Sequence, residues 1–228
     1  MEFELSQVHS KVSGNYNIGC AHISYKPVYE ICKRMFDLFC ASAALFLLSP
    51  LLLMIAVIIF VSDGHSPFFL QERVGINGTF KMIKFRTMVT GAEKKRDEVI
   101  KNAGLGVTLL HKCENDPRIT KVGAFLRKSS IDELPQLINI IKDDMSIIGP
   151  RPLVPKENEE INNHMRCSCN RNVVKPGLSS YAVLDPTSRD NYKNWSRLDE
   201  KYIHERSFLA DIKIIFKTVL SVVLGKNK

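Results

Sequence analysis

The sequence predicts an α+β protein, mainly helical, in which one membrane-associated apolar segment is joined to a small interfacial domain of short strands and amphipathic helices. Three observations predict it. Residues 38–62 carry no charge and are almost wholly hydrophobic, in a chain of 228 residues that is 45% hydrophobic overall. All of the +8 formal net charge lies on residues 63–228, because acids and bases balance over residues 1–37. Apolar residues recur at helical spacing in 132–142 and near the C-terminus, while strand-like runs are few and short. The mean hydropathy of −0.06 therefore averages two unlike parts.

Residues 1–25 are polar and aperiodic, and read as a loose tail or small docking segment. Pro27 suits the first position of a helix, which runs through Asp37 into the apolar segment, so residues 26–62 form one membrane-associated unit. As a straight helix, 38–62 reaches about 37 Å, enough for a hydrocarbon core of about 30 Å. Pro50 interrupts it near the middle, freeing the carbonyl of Phe46 and crowding the preceding turn. Ser49 can return its hydroxyl to that turn, which makes a bend tolerable in lipid. Each arm alone would then be about 18–20 Å long, one leaflet deep. Lys33 and Arg34 flank one end and the basic domain the other, so a spanning helix would place one of these groups outside, against the positive-inside tendency. The residues alone leave spanning and re-entrant placements both open. A cleaved signal peptide fits poorly, since the apolar run starts late and lacks a small-residue cleavage pattern.

Residues 63–228 have the composition of an ordinary globule. Asp63-Gly-His-Ser-Pro67 is a turn cluster. Residues 68–70 and 80–86 read as short strands joined through Gly75-Ile-Asn-Gly78. Residues 92–101 suggest a charged helix. Residues 132–142 suggest another, with Leu134, Leu137, Ile138 and Ile141 on one face, and with Asp132, Glu133 and Pro135 in its first turn. Oriented N–H groups at such a start favour a bound anion. Residues 186–206 read as a polar helix. Ser207 is a good N-cap for a last helix over 208–224, with Asp211 in its first turn. That helix sets Leu209, Ile212, Ile215, Phe216, Val219, Leu220 and Val223 beside Lys213 and Lys217, which suits either an in-plane interfacial helix or a core helix. The cysteines, Cys20, Cys32, Cys40, Cys113, Cys167 and Cys169, form no C-x-x-C pair and read as reduced thiols.

Chemistry concentrates between Asp116 and Gln136 and again at Gly149-Pro-Arg-Pro152. Asp132 and Glu133 stand beside Arg127 and Lys128, with Arg151 further on. A carboxylate can attack phosphorus, but an anion approaching a phosphoanhydride is repelled unless cations or a metal ion neutralise it. Mg²⁺ suits few carboxylates, several waters and substrate phosphates. An Asp-Glu pair at a helix start is also an ordinary capping feature.

The surrounding pattern resembles the bacterial sugar transferase family, the monotopic phosphoglycosyl transferases that start glycan assembly on polyprenyl phosphate. The matching stretches are Lys33-Arg-Met-Phe-Asp37, Ser49-Pro50, Gln71-Glu-Arg-Val-Gly75, Lys84-Phe-Arg-Thr-Met88, Asp116-Pro-Arg-Ile-Thr-Lys121, Leu126-Arg-Lys-Ser-Ser-Ile-Asp-Glu-Leu-Pro-Gln-Leu137, Asp144-Met-Ser-Ile-Ile-Gly-Pro-Arg-Pro152 and Lys175-Pro-Gly177. They occur in order, and the resemblance runs from about Lys33 to Leu224, in a short form without further apolar segments. The resemblance implies that Asp132 attacks the β-phosphate of a nucleoside diphosphate sugar (a UDP-sugar), releases the nucleoside monophosphate and holds the phosphosugar. Polyprenyl (undecaprenyl) phosphate then takes it up as a polyprenyl diphosphate sugar. It implies Mg²⁺ held by Glu133 with Asp132, and Lys84, Arg127 and Arg151 lining the phosphate region, with Arg86 of the same motif counted among the substrate-binding residues. The Ser49-Pro50 match implies a re-entrant segment, with the catalytic domain at the cytoplasmic face of a bacterial inner (cell) membrane. The implied partners are donor, acceptor, membrane lipids and downstream glycosyltransferases, in a pathway such as exopolysaccharide or capsule synthesis.

One stretch departs from the family. After Lys175-Pro-Gly177, where relatives commonly continue Ile-Thr-Gly-Trp-Ala-Gln, this chain has Leu178-Ser-Ser-Tyr-Ala-Val183. Tyr181 is a candidate to stack on a base or sugar, with plain packing as its alternative. The change removes any basis for naming the sugar. Two other classes compete with an enzyme: a membrane-anchored basic scaffold, and a nucleic-acid binder. The second is disfavoured by sparse aromatics and the lack of a recognised binding motif, so nucleic acid is not an expected partner.

Overall fold

The computed structural model describes residues 26–92, 116–165, 171–188 and 191–224. The expected tail (1–25) and charged helix (92–101) therefore lie outside the described residues, apart from Ala92. The structure is mostly helical with a few short strands, as expected from the sequence.

The first helix, α1 (Pro27–Asp63), starts on its proline and ends on Gly64, whose left-handed φ of 65° lets its N–H reach the Phe60 carbonyl. Long and apolar enough to cross a membrane, it stays helical through Pro50, so the two expected arms belong to a single helix. The Ser49 hydroxyl donates to the Phe46 carbonyl at 2.8 Å and so satisfies the acceptor that Pro50 cannot.

Both arms pack on the rest of the molecule. Before Pro50, Ala41 is fully buried against Met82, Leu137, Ile140 and Met145. Beyond it, Ile55 and Ile59 pack on Phe85 and Leu126. Phe39, Phe46, Leu47, Leu53, Phe60 and Val61 face outward. Polar contacts fasten the helix start: Lys33 pairs with Asp211 at 2.8 Å, and Asp37 accepts from the Ser146 hydroxyl at 2.7 Å and the Ile147 N–H at 3.1 Å.

Strands β1 (Phe68–Gly75) and β2 (Gly78–Phe85) form an antiparallel hairpin, longer than the two runs read from the sequence because pairing continues to the Gly75–Gly78 turn. Helix α2 (Lys121–Lys128), not anticipated from periodicity, is capped by Thr120, whose hydroxyl accepts from the Gly123 N–H. The single helix expected over 132–142 is divided in two: a 3-10 turn, Ile131–Glu133, then α3 (Gln136–Ile141). Pro135 has no N–H to continue an α ladder, so i→i−3 bonds such as Leu134 N–H to Ile131 O close the turn instead. Asp132 and Glu133 therefore precede α3 rather than begin it.

Strands β3 (Ser146–Ile148) and β4 (Gly177–Ser179) pair in parallel, and helix α4 (Pro155–Asn163) lies on the connection between them. A Cβ at Gly177 would lie 2.0 Å from the Gly149 nitrogen, so this approach requires glycine. After a short α5 (Tyr181–Leu184), the polar helix expected over 186–206 is a 3-10 turn, Pro186–Ser188, and then α6 (Tyr192–Glu205). The cap explains the later start: Asn191 accepts from the Asn194 N–H. The last helix, α7 (Phe208–Val223), is capped by Ser207 as expected. It buries Asp211 and Ile214 but exposes Leu209, Phe216, Val219 and Leu220. It is thus a packed helix with an uncovered apolar face.

Candidate active site

Ser130 ends the turn after α2 in the left-handed region, φ 57°, and so reverses the chain into the Ile131–Glu133 turn. That reversal carries Asp132 and Glu133 toward the end of β2. Lys84 reaches Glu133 Oε1 at 2.9 Å. Arg151, at the end of the β3–Gly149-Pro150 segment, straddles the same carboxylate, with Nη2 in close contact with Oε1 and Nη1 3.3 Å from Oε2. Burial alone would raise the Glu133 carboxyl, but the charges of Arg151 and Lys84 outweigh it and hold this group well below the usual carboxylate range. Glu133 is thus a fixed anion.

Asp132 differs. Among the described residues its side chain makes no hydrogen bond or ion pair, so its oxygens remain available. Burial and the adjacent Glu133 charge push its carboxyl up, against Lys84, Arg127 and Arg151. Arg127, on α2, donates its Nε to the Thr87 hydroxyl at 2.9 Å. Its terminal nitrogens have no hydrogen-bond partner among the described residues, and its charge acts on both Asp132 and Asp116. Asp116 is itself held by Arg118 in a two-pronged pair of 2.8 and 2.6 Å. The terminal segment of this wall is tightly fitted: a Cβ at Gly123 would lie 2.0 Å from the Thr87 carbonyl oxygen.

The structure thus brings together Asp132, Glu133, Lys84, Arg127 and Arg151. Arg86 lies elsewhere, 3.8 Å from Asp63 at the end of α1. Tyr181 stands at the start of α5, edge-on to Tyr202 at 6.3 Å between centroids, with Lys201 Nζ 5.4 Å from its ring centre. Among the described residues it has no contact with the Asp132–Glu133 cluster. Sequence reading missed Thr87 as the partner of Arg127, and missed Arg171, which supports Arg151. Thr87 stood inside a quoted motif, but nothing in one sequence marks a buried arginine as such.

Three cations around two carboxylates leave the cluster with a positive excess suited to a phosphate group. For magnesium the pair offers the Asp132 oxygens, which have no partner among the described residues, while Glu133 could share an ion only through oxygens that Lys84 and Arg151 already contact; water and substrate phosphates would supply the rest. No group of three or more metal-ligating side chains occurs among the described residues.

A bacterial sugar transferase family model matches residues 28–225. The chain is 38% identical to the exopolysaccharide production protein ExoY of Rhizobium meliloti, over 89% of this chain and 90% of that protein. It is 36% identical to the UDP-glucose:undecaprenyl-phosphate glucose-1-phosphate transferase of Escherichia coli, over 87% of this chain but 42% of that protein. It is 35% identical to the undecaprenyl-phosphate galactose phosphotransferase of Salmonella typhimurium, over 86% of this chain and 41% of that protein.

Proposed function

The chain belongs to the bacterial sugar transferase family, and on that premise we propose that it transfers a phosphosugar from a UDP-sugar to undecaprenyl phosphate, through an aspartyl intermediate on Asp132. One observation carries the mechanism: of two adjacent carboxylates, Glu133 is locked by Lys84 and Arg151 while Asp132 has no hydrogen bond among the described residues. In the first half-reaction an Asp132 oxygen forms a bond to the β-phosphorus, the bond to the bridging oxygen breaks, and UMP leaves with the electron pair. In the second, a phosphate oxygen of the acceptor attacks the same phosphorus and Asp132 departs as a free carboxylate. The products are an undecaprenyl diphosphate sugar and UMP. Lys84, Arg127 and Arg151 bind and orient the diphosphate and offset its charge as Asp132 approaches. Asp132 and Glu133 would hold Mg²⁺, which supplies further neutralising charge at the diphosphate.

The reading places the protein on a bacterial cell membrane, with α1 re-entrant and the domain at the cytoplasmic face. Support comes from both arms of α1, which rest on the same charged domain on either side of Pro50. A straight spanning helix would draw that domain into hydrocarbon. The uncovered apolar face of α7 suits the same interface, and basic side chains near an anionic surface add about 1 kcal/mol each. The lipid-linked product would pass to downstream glycosyltransferases of exopolysaccharide or capsule assembly.

The test uses membranes containing the full chain, supplied with labelled UDP-sugars and undecaprenyl phosphate. Wild-type protein should release UMP and form labelled lipid, and Asp132→Asn should reduce both by on the order of 10⁴-fold. A fully active Asp132→Asn protein would overturn the mechanism. UMP release by neither protein, across a panel of UDP-sugars, would favour a scaffold without chemistry.

A further inference from the structure

The segment 149–153 holds the arginine that grips Glu133, and its peptide groups are pinned one after another. The Gly149 N–H reaches Ser179 O at 3.0 Å, and Pro150 O accepts from the Gly177 N–H at 2.9 Å. Pro152 O accepts from Arg73 at 3.2 Å, and Leu153 O from the Val74 N–H at 2.9 Å. Between them, the Arg151 carbonyl accepts from Arg171 Nη2 at 2.8 Å.

Arg171 is an unusual donor for that task. Only 2% exposed, it is the largest fully buried side chain among the described residues. Burying a guanidinium is costly unless it is paired and its N–H groups are used. Here Asp199, on α6, takes Nε at 2.9 Å and Nη2 at 2.7 Å, and Asn158, on α4, takes Nη1 at 3.2 Å. A planar fork of five donors can serve a carboxylate, an amide oxygen and a main-chain carbonyl at once, whereas an ammonium cannot hold that geometry. We propose that the buried Arg171–Asp199 pair is a positioning device that fixes the main chain of Arg151 and thereby aims its side chain at Glu133. Arg171 touches neither carboxylate of the site and acts through Arg151. The inference deepens the proposed function, and its catalytic consequence rests on that reading.

The test compares full-length wild type with Arg171→Lys, reading amide hydrogen exchange and UMP release together. Arg171→Lys should speed exchange at Gly149 and at Val74, whose N–H donates to Leu153, while leaving the Phe68–Phe85 end of the hairpin at its wild-type rate. It should lower kcat by about tenfold or more, with the donor KM within about twofold. In an Arg151→Ala background the same change should add no further loss of kcat. Unchanged exchange at Gly149 and Val74 overturns the proposal whatever the enzyme does. An equal fold-loss in both backgrounds also overturns it, because a merely structural residue would act independently of Arg151. If Arg171→Lys does not fold, Asp199→Asn is read by the same criteria, since it keeps the guanidinium but removes the charge that holds its Nε and Nη2 in place. Failure of the wild type to turn over any UDP-sugar would instead sink the proposed function, and the exchange comparison would still decide the role of Arg171.

Discussion

Asp132 and Glu133 share residue class, chain position and turn, yet their environments pull them apart. Glu133 receives two cations within hydrogen-bond reach and stays ionised; Asp132 receives none among the described residues and is raised by burial and by its neighbour. Such divergence assigns different work to two carboxylates. Arg127 completes the division, because its only hydrogen bond among the described residues is from Nε to Thr87. The Thr87 hydroxyl therefore fixes one edge of the guanidinium, whose charge acts on Asp132 and Asp116. Thr87→Val keeps the shape and removes the acceptor, and it should lower kcat by about tenfold. Thr87→Ser, which keeps the oxygen, should restore most of it. Steady-state UMP release by the two variants checks this, and equal activities would remove Thr87 from the machinery.

At the scale of elements, Arg127 is delivered by α2, and α2 can approach the end of β2 only because residue 123 is glycine. A methyl group there would sit 2.0 Å from the Thr87 carbonyl oxygen, which is main chain and cannot swing aside. Gly123→Ala should therefore displace α2, lower stability by about 1–3 kcal/mol and reduce activity with it. Thermal unfolding of the detergent-solubilised protein beside its UMP release measures both. Sequence and structure part company at this same scale. Element ends signalled by local chemistry were legible: Pro27, the Ser207 cap, and the Gly75–Gly78 hairpin turn. So was the Ser49 bond to the Phe46 carbonyl. Apolar periodicity spanned Pro135 without showing that its missing N–H would divide 132–142, and nothing local announced α2. In the site, Lys84, Arg127, Arg151, Asp132 and Glu133 were legible through motif order. Their supports, Thr87 and Arg171, were not, because both act through contacts between residues distant in sequence.

For the whole molecule the decisive question is how a chain with an uncharged stretch and a +8 remainder meets a membrane. Length alone permits α1 to cross. Packing weighs against it, since Ala41 before Pro50 and Ile59 after it are both buried against the domain that holds Glu133. If α1 stood across the bilayer, α2 and α3 would lie alongside it at hydrocarbon depth. The charged residues at their ends, Lys121, Lys128 and Lys142, would then need partners in lipid. A helix that dips in and returns keeps those charges in water and leaves only outward residues such as Phe46 and Leu53 in contact with acyl chains. Such a helix leaves the chain before α1 and the chain after it on the same face, whereas a spanning one separates them. Two variants, each retaining a single native cysteine, Cys20 before α1 or Cys113 after it, should both resist a membrane-impermeant maleimide in intact spheroplasts and both react after lysis. Labelling of one cysteine and not the other in intact cells would establish a spanning helix, and the domain's contacts with one of the two arms would then have to differ in the membrane.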